Sequence, residues 1–215
     1  MKKIIIMLLF SVLIVGGCSC KKEETQLSIP LKGSPNETST ITTPVNASNL
    51  DKYLFRDDVQ YVDLRELDLV MKTGHISGFE FIPFHSLIAS FRDNKTLYAM
   101  KDSQDEGGKW TYAGTVGGFY PQYKESKQLI KSLFDSDKYI FFVSHAGSES
   151  TYMINLLIQL GYDGNKLYNI CGVSGTEGGA SYISSGNMKY FVNGSNAINV
   201  QTSYTLGITL TPIEE

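Results

Sequence analysis

Apolar and polar positions divide the chain into three stretches. Ile4 to Val15 is an almost unbroken apolar run behind Lys2 and Lys3. Lys21 to Asn49 is rich in Ser, Thr, Pro and Asn and lacks any apolar period, so it reads as a flexible tether. From Leu50 onward apolar residues recur at strand and helix spacings, over a length that suits one domain of ordinary size.

Within that domain the spacing predicts alternating elements. Ser48 is placed to cap a short helix through Leu54. Val59-Gln60-Tyr61-Val62-Asp63 has strand composition, and Leu67 to Met71 supports a helical turn ending near Gly74. Glu80-Phe81-Ile82 is a short strand stopped by Pro83, and Phe84 to Phe91 reads as helix. Leu97-Tyr98-Ala99-Met100 and Trp110-Thr111-Tyr112-Ala113 flank a polar, Gly-bearing stretch and predict a β-hairpin with a long turn. Lys124 to Phe134 returns to helical spacing. Tyr139 to Val143 is a continuous apolar run of strand length, the pattern of a strand buried at the centre of a parallel sheet. Ser150 to Leu160 is a helix ended by Gly161, and Leu167 to Ile170 a further strand. Strands alternating with helices give an α/β class, with a mostly parallel sheet of about five strands flanked by helices. The Gly-, Ser- and Asn-rich tail from Thr176 holds two candidate strands, Met188 to Val192 and Thr202 to Thr211, which would add an edge hairpin.

The apolar run at the start is too short to span a bilayer and follows two lysines, the plan of a signal peptide. Val15-Gly16-Gly17-Cys18 resembles the lipobox of bacterial lipoproteins. That resemblance implies that Cys18 is diacylated with palmitate-like chains and becomes the new N-terminus, with a lipid-anchored place on the extracytoplasmic face of the cell membrane. Cys20 fits less well, because Cys18 and Ser19 precede it. The expected divisions are a leader over 1–17, a lipidated flexible tether over 18–47, a domain over 48–175 and a C-terminal extension over 176–215. The tether's length would lift the domain well clear of the surface.

Charge and cysteines narrow the partners. Loss of Lys2 and Lys3 with the leader takes the formal net charge from −3 to −5. An acidic balance supports neither a nucleic-acid partner nor a polybasic membrane patch. The three cysteines are Cys18, Cys20 and Cys171, which argues against a disulfide framework although the compartment would allow one. No metal and no cofactor is expected.

The motifs can then be placed on the elements. Tyr61-Val62-Asp63-Leu64-Arg65-Glu66 is followed by Gly74-His75-Ile76-Ser77-Gly78 and then Ile82-Pro83. Later, Phe141 to Gly161 runs from an apolar strand through a short polar loop into a helix ending Leu160-Gly161-Tyr162. In order and spacing these pieces resemble a rhodanese domain over about Ser48 to Gly172, with an insertion at 94–120. In that family an active-site loop of pattern Cys-x-x-Gly-x-Arg turns its backbone N–H groups inward at a helix N-terminus. This stabilises a thiolate that carries a sulfane sulfur.

Here the corresponding loop is Ser144-His145-Ala146-Gly147-Ser148-Glu149. Gly147 keeps the turn glycine, Ser144 stands in the place of the cysteine, and Glu149 stands in the place of the arginine. A serine hydroxyl stays protonated at neutral pH and cannot hold a stable persulfide, so sulfur transfer through this loop is not expected. Glu149 would stand in for the anion that the family binds. Asp63 and Arg65 read as partners that tie loops together, and His75 as a residue that caps or bridges loops rather than moving protons.

Two enzymatic alternatives remain. Cys171 follows a predicted strand and would lie at the same end of the sheet as Ser144, so a relocated thiol is one reading, and a buried inert cysteine the other. Ser144 as the nucleophile of a hydrolase would need a base and an oxyanion hole, and Gly-x-Ser-x-Gly is absent. A solute-binding role comes third. The insertion carries Tyr98, Trp110, Tyr112, Phe119 and Tyr120, either covering a sheet edge or forming a lid or partner surface. The leading expectation is a lipid-anchored pseudoenzyme that works as a binding or scaffold module, with a protein or small-molecule partner.

Overall fold

A computed structural model describes residues 27–93, 95–104, 110–112, 118–174, 181–186, 188–194 and 209–213. Its frame is a four-stranded parallel sheet. The strands are β1 (Val59–Asp63), β3 (Glu80–Phe81), β9 (Tyr139–Ser144) and β10 (Leu167–Gly172), in the order β10-β9-β1-β3. Between β1 and β3 lie α1 (Leu67–Thr73) and β2 (His75–Ile76). After β3 come α2 (Phe84–Leu87), β4 (Ile88–Ala89), β5 (Tyr98–Ala99), β6 (Lys101–Gln104), β7 (Trp110–Tyr112), β8 (Tyr120–Pro121) and α3 (Ser126–Leu133). Helix α4 (Ser148–Gln159) joins β9 to β10, and β11 (Phe191–Val192) is the last of the named strands.

The run at β9 is central because both of its faces are covered. Ile140, Phe141, Phe142 and Val143 are all fully buried. Their side chains alternate between two cores, as a strand's period of two requires. Ile140 and Phe142 join Val62 and the apolar faces of α2, α3 and α4. Phe141 and Val143 point to the other core, built with Tyr61, Tyr168, Ile170 and Cys171.

That second core is completed by the segment expected to be a free tether. Ile29, Val45 and Ala47 are buried in it, with Leu50 of the domain beside them. From Leu27 on, the segment is a strap bound to the domain, and only residues before it lie outside the described part. It runs along β10, the edge strand of the order above. Lys32 Nζ donates to the carbonyls of Leu167 (2.8 Å), Gly164 (2.9 Å) and Pro35 (3.2 Å). The Tyr168 hydroxyl donates to Pro30 O at 2.8 Å, and Asn169 Nδ2 donates to Thr38 O at 2.7 Å. The strap thus lies against β10, the outer strand of this sheet, and occupies its Leu167 carbonyl. It also leaves the described domain starting about 20 residues earlier than its expected boundary at 48.

Other boundaries move for local reasons. The helix expected over Phe84 to Phe91 stops at Leu87, where Ile88 turns extended (φ −134°, ψ 123°) and its β-branched side chain is buried in strand β4. Tyr98–Ala99 does not pair with Trp110–Tyr112. It pairs parallel with β4 and antiparallel with β8, and the antiparallel partner of Trp110–Tyr112 is Lys101–Gln104. Ser48 caps no α-helix; a single 3₁₀ turn spans Leu50–Lys52 behind Asn49. The edge hairpin expected from the tail is not seen among the described residues. Phe191–Val192 pairs antiparallel with His75–Ile76, Pro212 bridges Tyr123, and 202–208 lies outside them.

Candidate functional site

Because β1, β9 and β10 run parallel, their carboxyl ends bring Leu64 to Glu66, His145 to Gly147 and Val173 to Ser174 to one edge of the sheet. Ligand sites of open α/β sheets sit at such edges. Backbone bonds stitch this edge together: Leu64 N donates to Val143 O at 2.9 Å and Val173 N donates to Ser144 O at 2.8 Å.

Ser144 is the last residue of β9 and is fully buried. By strand parity it faces the same side as Ile140 and Phe142, toward α4. Its Oγ accepts the backbone N–H of Gly147 at 2.9 Å. Gly147 adopts φ +108°, a left-handed conformation that suits glycine, and caps α4. A Cβ there would lie 2.8 Å from Thr40 Cγ2 of the strap. The loop is therefore held from inside by the Ser144 hydroxyl and from outside by the strap.

Asn169, a polar residue inside the buried strand β10, ties these parts together. Its Nδ2 reaches Gly147 O (2.9 Å), Thr151 Oγ1 (3.1 Å) and Thr38 O (2.7 Å). The sequence reading missed this residue. Its signal was an amide interrupting the apolar run of Leu167 to Ile170.

The other loop residues are not assembled around Ser144. His145 is exposed, and its Nδ1 lies 3.2 Å from Ser174 Oγ. Ala146 is half-buried. The Ser148 hydroxyl lies 3.3 Å from Glu149 Oε2, in the first turn of α4 where a carboxylate is favoured by the helix dipole. Among the described residues no imidazole or carboxylate hydrogen-bonds Ser144 as a general base. A serine nucleophile requires one within hydrogen-bond reach.

Cys171 does not stand in for a lost thiol. An irregularity in the β9–β10 register between Asn169 and Cys171 leaves Cys171 in the core on the other face from Ser144. It is 1% exposed, and burial pushes its thiol up to about 12. A nucleophilic cysteine needs the opposite shift, a thiolate stabilised near neutral pH. Alkylation by iodoacetamide at pH 8 is therefore expected to spare Cys171 in the folded chain and to label it in denaturant. Peptide mass mapping reads the difference, and a Cys171 labelled under native conditions would show the thiol to be reachable.

Asp63 and Arg65 form the most heavily bonded polar unit of this edge. Arg65 Nη2 lies 2.6 Å from Asp63 Oδ2, and both side chains are fully buried. Nε contacts both carboxylate oxygens, at 2.9 and 3.1 Å. The remaining donors reach Thr73 Oγ1 (2.8 Å) and Gly74 O (2.9 Å), tying the end of β1 to the end of α1. Gly74 takes φ +89°. A Cβ on it would fall 2.2 Å from Val192 O, so β11 can approach only a glycine. His75 sets its ring edge-on to Phe81 at 5.3 Å, and burial lowers its pKa below the usual 6.5. That favours the neutral ring over a cationic one.

An open depression of about 320 Å³ lies by the amino ends of the strands, lined by Val59, Gln60, Tyr61, Gly78, Glu80, Asp135 and Lys138. Among the described residues no three His, Cys, Asp or Glu side chains gather as a metal-ligand set, and no helix is long and apolar enough to cross a membrane. No protein-family model, curated protein or solved structure matches the chain.

Proposed function

We propose that this chain is a lipid-anchored, extracytoplasmic binding or scaffold module, built on a rhodanese-like domain that does not transfer sulfur. In this reading Cys18 carries the lipid, residues 94–120 are an insertion into the rhodanese-like frame, and the carboxyl edge of the sheet is the recognition end. The observation that carries the reading is the state of residue 144. At the end of β9, before a left-handed glycine and the N-terminus of α4, stands a buried hydroxyl that already takes the Gly147 N–H. It has no thiolate to offer, and the amide that would face an anion is occupied. The parallel sheet and the helices packed on it are compatible with the family's α/β frame.

The remaining surface at that edge is polar and small. Exposed His145, paired with Ser174, and half-buried Glu149 offer hydrogen bonds and charge without a reactive centre. Such a surface suits recognition of a protein or small polar partner.

The test is the intact mass of the mature, detergent-solubilised chain before and after thiosulfate, and again after cyanide. No added sulfur is expected. One sulfur gained on Cys171 and removed by cyanide would overturn the proposal and make the protein a sulfurtransferase.

A further inference from the structure

The strap changes how the anchor and the domain are related. Between Cys18 and Leu27 there are only nine residue steps. Fully extended, they span at most about 30 Å. A domain of this size has a radius of gyration of about 16 Å, so the whole reach of the connection is less than one domain diameter. The domain cannot stand far off a bilayer that holds Cys18.

The strap also enters the domain at a defined end. Arg56 Nη1 donates to Leu27 O at 2.5 Å, just before the start of β1. Pro30 O takes the hydroxyl of Tyr168 at the start of β10, and that ring lies 6.2 Å from Tyr139 at the start of β9. Residues 27–32 therefore cross the amino ends of the parallel strands, opposite the Ser144 loop.

Large apolar side chains are exposed at this same end. Leu27 is 54% exposed, Leu31 77% and Phe55 56%. Phe55 is the one non-glycine residue with positive φ (61°) among the described residues. Phe55 thus keeps a bulky, largely exposed ring in a sparsely populated backbone conformation, a kind of strain that marks functional contacts. Its ring meets Tyr190 edge-on at 5.0 Å, and Met188, two residues away, is also exposed. Aromatic and aliphatic side chains of this kind enter the boundary between headgroups and acyl chains. Lys52, Asp57 and Lys189 are all exposed within three residues of Phe55 or Tyr190, so the charges there are mixed and apolar insertion is the chemistry on offer.

We infer that the amino-end surface carrying Leu27, Leu31 and Phe55 lies on the lipid bilayer, so that the Ser144 loop and His145 point away from the membrane. This inference rests on the reading of Cys18 as the lipid anchor. It commits to the bilayer as occupant because the anchored chain ends on this surface.

The test uses the full lipidated chain in vesicles of phosphatidylethanolamine and phosphatidylglycerol, with Trp110→Phe removing the native tryptophan. Phe55→Trp, Leu31→Trp and His145→Trp are then compared in vesicles with and without dibrominated lipid. Sedimentation with the vesicles and the mass of the Cys18 peptide are read on the same samples. The expected result is that bromolipid cuts emission from Phe55→Trp and Leu31→Trp about twofold or more and leaves His145→Trp unchanged. Vesicle-bound protein whose Phe55→Trp and Leu31→Trp emission is unaffected, or whose His145→Trp emission is quenched as strongly, would overturn the orientation and leave the anchor standing. An unmodified Cys18 in protein that stays in the supernatant would overturn both.

Discussion

Arg65→Met is expected to cost the protein about 3–5 kcal/mol of folding stability, read as a fall in the urea midpoint. The mechanism is the charge left behind. Asp63 and Arg65 are fully buried, and the guanidinium occupies both carboxylate oxygens. Methionine matches the stem but supplies no donor, so the Asp63 carboxylate would stay in the core with its strongest partner gone. Gly74 O and Thr73 Oγ1 would lose donors in the same step, loosening the junction of β1 and α1. The companion experiment is the double variant Asp63→Asn with Arg65→Met. Removing both charges should recover a large part of the loss, because the penalty comes from the unpaired ion more than from the missing bonds. A double variant no more stable than Arg65→Met would show that the pair acts through geometry and not through mutual neutralisation. The result bears on function too. An Arg65 whose bonds all serve the fold is not available to hold an anion at the carboxyl edge, and the loop supplies no second arginine where Glu149 stands.

The frame was legible where periodicity had one reading. The apolar block at Tyr139 to Val143 demands burial on both faces, and β1, β9 and the start of β10 follow from such runs at their expected places. The loop was legible in part: His145 to Gly147 lies between strand and helix as expected, but Ser144 belongs to β9, and α4 starts at Ser148 and not at Ser150. Legibility failed where a residue's role depends on a distant partner. Nothing local marks Lys32 as buried; its three acceptors lie in Pro35, Gly164 and Leu167, the last two more than a hundred positions away. Leu27, Ile29 and Leu31 alternate over only five residues and Val45 stands apart in a Ser, Thr and Pro background, a pattern too short to mark a buried segment. Ile29 and Val45 acquire meaning only because, among the described residues, no α-helix contributes to the core on that sheet face. Asn169 is the intermediate case: its oddness is visible in the strand, but its bonds to Gly147 and Thr38 are visible only in the fold.

The strap leads to the second large effect. A chain that begins at Ser48 is expected not to fold cooperatively, whereas one that begins at Thr25 should unfold in a single transition. Truncation at Ser48 removes Ile29, Val45 and Ala47 from the core beneath β9 and β10. The two larger side chains alone contribute about 1.5–3 kcal/mol each when fully buried. It also removes Lys32, leaving the Gly164 and Leu167 carbonyls without that donor, at about 1–3 kcal/mol for each group that stays dry. Asn169 loses Thr38 O, and Gly147 loses the Thr40 methyl that packs against its turn. The combined loss reaches the whole stability of an ordinary domain, roughly 5–15 kcal/mol. Lys32→Met isolates one part of it: the stem still fills its channel beside Tyr168, so this variant should fold but with a lowered midpoint. Burial lowers the Lys32 pKa to about 8 from the usual 10.5, so the folded chain sheds this proton before the unfolded chain does. Stability contributed at this position is then lowest below pH 8 and rises as pH climbs toward 10.5. The urea midpoint of the native chain should therefore pull further above that of Lys32→Met as pH rises from 8 toward 10.5. A Ser48 chain with a sharp transition at the native midpoint would show the strap to be an attachment to the domain and not part of it.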